Sequence, residues 1–270
     1  MGETKKGFLM ITGAVVAAVA VIICLWTNAL KAVAGTGKEN AEEKEQVISD
    51  AFDRIEISEV SADVTLREAE NGQVKVVYSD TDRITHEIKV SGNTLSIKAK
   101  KKKGGWLKNM FGGLFSFSFG SVQNKKTIVY LPEGKLEALK VETVSGDVEI
   151  PDTTEYDELR LATVSGDIHE SGTGISEGIK IETVSGDTVL DRIQAGSLDF
   201  SSVSGDIRLT DADIAGTVTM ETVSGDVSGN VLGEHSYSVH SLSGNKDFPD
   251  GAADGSKVSV DTTSGDVKLS

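Results

Sequence analysis

At 270 residues with 38% hydrophobic content the chain can bury a core, but 29 glycines and 5% aromatic residues suit many tight turns and thin layers better than one large globular centre. A single cysteine, Cys24, excludes an internal disulfide, a multi-cysteine zinc site and an iron–sulfur cluster, and four histidines with no ligand-spaced pair argue against a histidine-built metal centre. The net charge of -15 is uneven: residues 141–270 carry 7 basic against 25 acidic side chains, which disfavours nucleic acid there and favours cations or basic partners.

Residues 8–30, FLMITGAVVAAVAVIICLWTNAL, hold no charged side chain. About twenty such residues rising 1.5 Å each cross a hydrocarbon core of roughly 30 Å, which predicts a transmembrane helix over 7–30 behind a short cytoplasmic tail, residues 1–6. Trp26 suits the interface, and Lys5 and Lys6 precede the span. Ala32-Val33-Ala34 would fit signal-peptide cleavage, but the apolar stretch exceeds the usual core of about 7 to 15 residues. Both readings place the rest of the chain outside the cytoplasm, and the first makes it a single-pass protein of the cell membrane. On this reading a tail of six residues is expected to hold no cytoplasmic signalling domain. The polar, charge-rich residues 31–50 are expected to be a linker.

From residue 51 a β domain is expected, irregular over 51–136 and regular over 137–270. In the regular part a Ser-Gly-Asp-like motif returns at Ser145, Ser165, Ser185, Ser204, Ser224, Ser243 and Ser264, a period of 19 to 21 residues that signals a stacked repeat. Six and four residues before each serine stand apolar side chains such as Leu139 and Val141, or Ile179 and Ile181, alternating with polar ones. That alternation predicts a strand with one face buried. A second short apolar pattern follows, as at Val148 and Ile150, so Ser-Gly-Asp sits at a corner between two strands. No unit can close a core alone. Wound as coils about 4.8 Å apart, the units give a parallel β-solenoid with a column of hydroxyls, Thr143 to Thr262, two residues before the serines. A degenerate coil stands upstream around Ser61, where the turn reads Ser-Ala-Asp and Glu59 takes the hydroxyl place.

Two groups of side chains are candidate sites. Asp147, Asp167, Asp187, Asp206, Asp226 and Asp266 would line successive rungs, with Asn245 interrupting, as a ladder that a hard cation could bridge or that local amides could satisfy. Residues 101–126 set Trp106, Phe111, Phe115, Phe117 and Phe119 between basic flanks that include Lys101, Lys102 and Lys103. That segment suits capping of an open solenoid end, or contact with a membrane surface or a partner.

The hairpin ending in GNTLSIK, the strand IVYLP at 128–132 and the periodic SGD[VI] corners over residues 51–270 resemble the bacterial putative-adhesin, β-strand-repeat family of unknown function, which includes LiaG-like cell-envelope proteins. The resemblance implies a surface-exposed, membrane-anchored β-repeat protein tied to adhesion or envelope stress, and it carries over no catalytic residue. No GxSxG, HExxH or P-loop pattern occurs, and a uniform array lacks the one special rung that catalysis needs. The expectation is a noncatalytic module without cofactor, held to the membrane, whose outward residues such as Lys180, Glu182, Asp199, Ser201, Thr219 and Glu221 meet a protein or cell-wall ligand. The alternative is an accessory sensor of envelope stress acting through a membrane partner.

Overall fold

The computed structural model describes residues 41–102, 125–152, 154–172, 174–252 and 254–270, and among these the chain is all-β, with no helix long and apolar enough to cross a membrane. The span expected over 7–30 lies outside the described residues. Strands β1 (Ala41–Val47), β2 (Arg54–Ser58), β3 (Asp63–Glu68), β4 (Lys75–Thr81), β5 (Ile84–Ser91), β6 (Thr94–Lys101) and β7 (Lys126–Leu131) build the irregular part. The coils follow as β8 (Lys135–Glu142), β9 (Val148–Ile150), β10 (Glu155–Thr163), β11 (Ile168–Ser171), β12 (Gly174–Thr183), β13 (Thr188–Asp191) and β14 (Gln194–Ala195). After them come β15 (Leu198–Ser202), β16 (Ile207–Ile214), β17 (Val218–Thr222), β18 (Val227–Leu232), β19 (His235–Ser241), β20 (Lys246–Asp247), β21 (Ser256–Thr262) and β22 (Val267–Leu269). Residues 41–47, placed in the linker by their charge, instead form β1 by pairing antiparallel to β4.

The strands before the corners stack parallel and in register as β6, β2, β8, β10, β12, β15, β17, β21 and β19. Those after the corners stack as β7, β3, β9, β11, β13, β16, β18, β22 and β20. The coils therefore do not all follow chain order. The final one, β21 with β22, is inserted between the coil of Ser224 and the coil of Ser243, so Ser243 ends the stack. At the other end the sheets are extended by antiparallel strands, β5 on β6 and β4 on β7.

Period-two alternation does what burial requires. Leu139, Leu159, Ile179, Leu198 and Val218 form one fully buried column, and Val141, Leu161, Ile181, Phe200 and Met220 the next. A third buried row, Tyr156, Ile175, Ala195 and Ile214, lines the return side of the coils, where short pairings join β12, β14 and β16. The corners that carry glycine are closed by the hydroxyl column. Thr143, Thr163 and Thr183 accept the amide hydrogens of Gly146, Gly166 and Gly186 at 2.9–3.1 Å, and Ser202 does the same for Gly205 at 2.8 Å.

The corner glycines are needed for space rather than for a left-handed backbone, since none has positive φ. A Cβ on Gly166, Gly186 or Gly205 would come within 1.9–2.0 Å of the carbonyl oxygen of the glycine one rung below, far inside van der Waals contact. Among the described corners the one without glycine is at Ala62, in the coil that stacks on β6 and β7.

Candidate functional site

Outward side chains on the strands before the corners stand in two registered columns. Lys140, Arg160, Lys180, Asp199, Thr219 and Ser259 follow one another along the first, and Glu142, Ala162, Glu182, Ser201, Glu221 and Asp261 along the second. The structure thus brings together Lys180, Glu182, Asp199, Ser201, Thr219 and Glu221 as one flat face. Its charge changes along the stack. Towards the amino-terminal end the cations are paired within their own strands, Lys140 with Glu142 at 2.7 Å and Lys180 with Glu182 at 3.3 Å. Further along, Asp199, Glu221 and Asp261 have no ion-pair partner among the described residues, and burial together with the charges of Asp261 and Asp199 raises the Glu221 carboxyl above its ordinary value.

The corner aspartates form the expected column, extended to Asp63. Each is exposed, and its Oδ1 accepts the backbone amide of the next rung: Asp167 N to Asp147, Asp187 N to Asp167, Asp206 N to Asp187 and Asp226 N to Asp206, at 2.7–3.0 Å. Asn245 does not interrupt the column but ends it, its amide donating to Asp266 at 2.7 Å. Among the described residues no three His, Cys, Asp or Glu side chains are grouped to hold a metal ion.

Of the insertion, Lys101, Lys102, Lys125 and Lys126 are described; Lys101 and Lys102 are exposed, and Lys102 Nζ donates to the Thr81 carbonyl at 2.7 Å. Lys103, Trp106, Phe111, Phe115, Phe117 and Phe119 lie outside the described residues.

At the root of that segment stands a cluster that the repeat pattern did not announce. His86 Nε2 is 3.0 Å from Glu59 Oε1 and its Nδ1 is 2.9 Å from Asp80 Oδ1, with side-chain exposures of 1%, 2% and 5% for the three residues. Thr127 Oγ1 donates to Glu59 at 2.6 Å, while Lys44 Nζ and Thr85 Oγ1 donate to Asp80 Oδ2 at 2.9 and 3.0 Å. Burial disfavours the imidazolium, but the hydrogen bonds and charges of Glu59 and Asp80 outweigh it and raise His86 above its ordinary value. Burial likewise pushes the Asp80 carboxyl up, yet hydrogen bonds from His86, Lys44 and Thr85 bring it down to about 2. This arrangement ties β1, β4, β5, β7 and the residue after β2 together by charge-assisted bonds. Glu59 in the hydroxyl column was its only sequence signal.

A family model described as Toastrack DUF4097 matches residues 52–178 and again 153–270. Among solved structures, a protein of Parabacteroides distasonis described as a putative lipid binding protein aligns with 17% identity and a TM-score of 0.47 over 87% of this chain and 98% of its own. A putative adhesin of Bacteroides fragilis aligns with 12% identity and a TM-score of 0.42 over 86% and 97%, and a putative cell adhesion protein of Clostridium sporogenes with 10% and 0.36 over 85% and 99%. No curated protein matches the chain significantly.

Proposed function

Since this chain belongs to the Toastrack DUF4097 family, we propose that it is a noncatalytic surface module, anchored in the cell membrane by residues 7–30, whose flat outward face binds a protein or cell-wall component. The observation that carries the reading is the registered pair of outward columns, which repeats one geometry from rung to rung while its charge shifts from paired to acidic. Parallel stacking makes such a face rigid, because the strands from β8 to β21 along the stack are hydrogen-bonded on both sides, so a ligand meets side chains already in place. The uncompensated carboxylates at Asp199, Glu221 and Asp261 favour a ligand that offers cations or hydrogen-bond donors.

Photo-crosslinking in intact membranes tests this. A photoreactive side chain at Ser201 or Thr219 should give defined adducts, whereas one at exposed Asp213 on the return side should not. No adduct from the face, or the same adducts from both sides, would refute it.

A further inference from the structure

The chain has to leave its coil order where β7, in the outermost coil, runs into β8, in the third. The connection Pro132–Gly134 passes across the return side there, and Gly134 O accepts the amide of Glu155 at 3.1 Å. Two hollows flank this crossing and share Glu133, Gly134, Lys135 and Thr154 as their common wall. One, of about 270 Å³, is lined by Phe52, Val74 and Leu131. The other, a groove of about 620 Å³, is lined by the carboxylates of Glu68, Glu133, Asp152 and Glu155.

The groove's two cations are each engaged by an acid outside its lining: Lys135 by Asp157 at 2.5 Å and Arg192 by Asp191 at 3.0 Å. Glu68, Glu133, Asp152 and Glu155 form no ion pair among the described residues, so the groove is acidic in charge as well as in composition. An apolar chamber beside an acidic groove matches a ligand with one hydrophobic group flanked by positive charge. A Cβ on Gly134 would meet nothing within 4 Å, so the wall is low at the crossing, which suits an extended chain better than a compact ligand.

From this juxtaposition we infer that the return-side groove is a binding site for a basic peptide segment, an apolar side chain seated by Phe52, Val74 and Leu131 and its neighbouring lysines or arginines facing Glu133 and Glu155. The site shares β8 and β10 with the face described above but uses their first residues, Lys135 and Glu155, and it stands independently of what that face binds.

The test uses the full chain in neutral-lipid nanodiscs and fluorescence polarisation of a labelled Gly-Lys-Phe-Lys-Gly peptide, with empty nanodiscs subtracted. Binding should weaken about tenfold when Phe is replaced by Ser, and should vanish when Glu replaces both lysines. The pair E133Q/E155Q should cost about tenfold in affinity, whereas E234Q/D254N, which removes two exposed charges elsewhere, should change it less than about twofold. Absence of binding, equal binding of the Phe and Ser peptides, or equal weakening by the two charge pairs would overturn the assignment, the last by reducing it to attraction towards a chain of net charge -15.

Discussion

Asp266 donates its backbone amide to Oδ1 of Asp226 at 2.7 Å, although forty residues separate them. The same bond recurs on each rung from Asp63 to Asn245, so the aspartates serve as connectors between coils and place a carboxylate roughly every 5 Å along the corner. Connection and repulsion therefore reside in the same side chains.

They can be separated at Asp187, which accepts from Asp206 N. Asp187→Ala should lower stability by about 1 kcal/mol through the lost acceptor. Asp187→Asn keeps a carbonyl acceptor and sheds a charge, so it should match or exceed the parent at low salt and converge with it at high salt. Thermal unfolding at two ionic strengths checks both, and equal losses in the two variants would deny the ladder its role.

Close stacking at the corners sets a second expectation. Gly186→Ala would drive a methyl into the Gly166 carbonyl and should destabilise by about 3 kcal/mol. Ala62→Gly, at the corner that already carries a methyl, should change stability by less than about 1 kcal/mol. Denaturant midpoints for the two variants provide the comparison.

The buried imidazole predicts a pH dependence with a definite sign. A folded-state value for His86 above its ordinary 6.5 means that its stabilisation is fully present below 6.5 and is lost as pH rises through the raised value. Asp80, lowered from 3.8 to about 2, contributes above 3.8 and loses its contribution, on the order of 2 kcal/mol, as pH falls towards 2. The amino-terminal coil should thus be firmest between 3.8 and 6.5. Melting followed from about pH 5 to about pH 9 should decline for the parent and be flatter for His86→Asn. Parallel curves would show that the imidazole is not the titrating group.

Most of the solenoid was legible because burial imposes a period that the letters repeat: Ile181 and Phe200, or Thr183 and Ser202, occupy equivalent places and are found one rung apart or in the same column. What periodicity cannot specify is which coil lies next to which. Val260 and Val239 satisfy the same column equally, so nothing local announces that Met220 pairs with Val260 while Val239 lies beyond it. The outward face was legible for the same reason as the core, being its complement on alternate residues. His86 was not, since its partners Glu59 and Asp80 come from different strands and meet only after the antiparallel end has formed. The groove was hidden too, because it arises from the crossing of Pro132–Gly134 between coils rather than from any repeat.

The register and order of the coils are tested most directly by disulfide trapping in a Cys24→Ser background. Thr219 pairs with Ser259, and Ser259 with Ser238. Neighbouring strands about 4.8 Å apart fall within the disulfide Cα window of about 4.4–6.8 Å, whereas two rungs span about 9.6 Å. The T219C/S259C pair should therefore oxidise readily and T219C/S238C should stay reduced. Ready closure of the second pair with failure of the first would contradict the inserted coil, and failure of both would contradict the stacked solenoid itself.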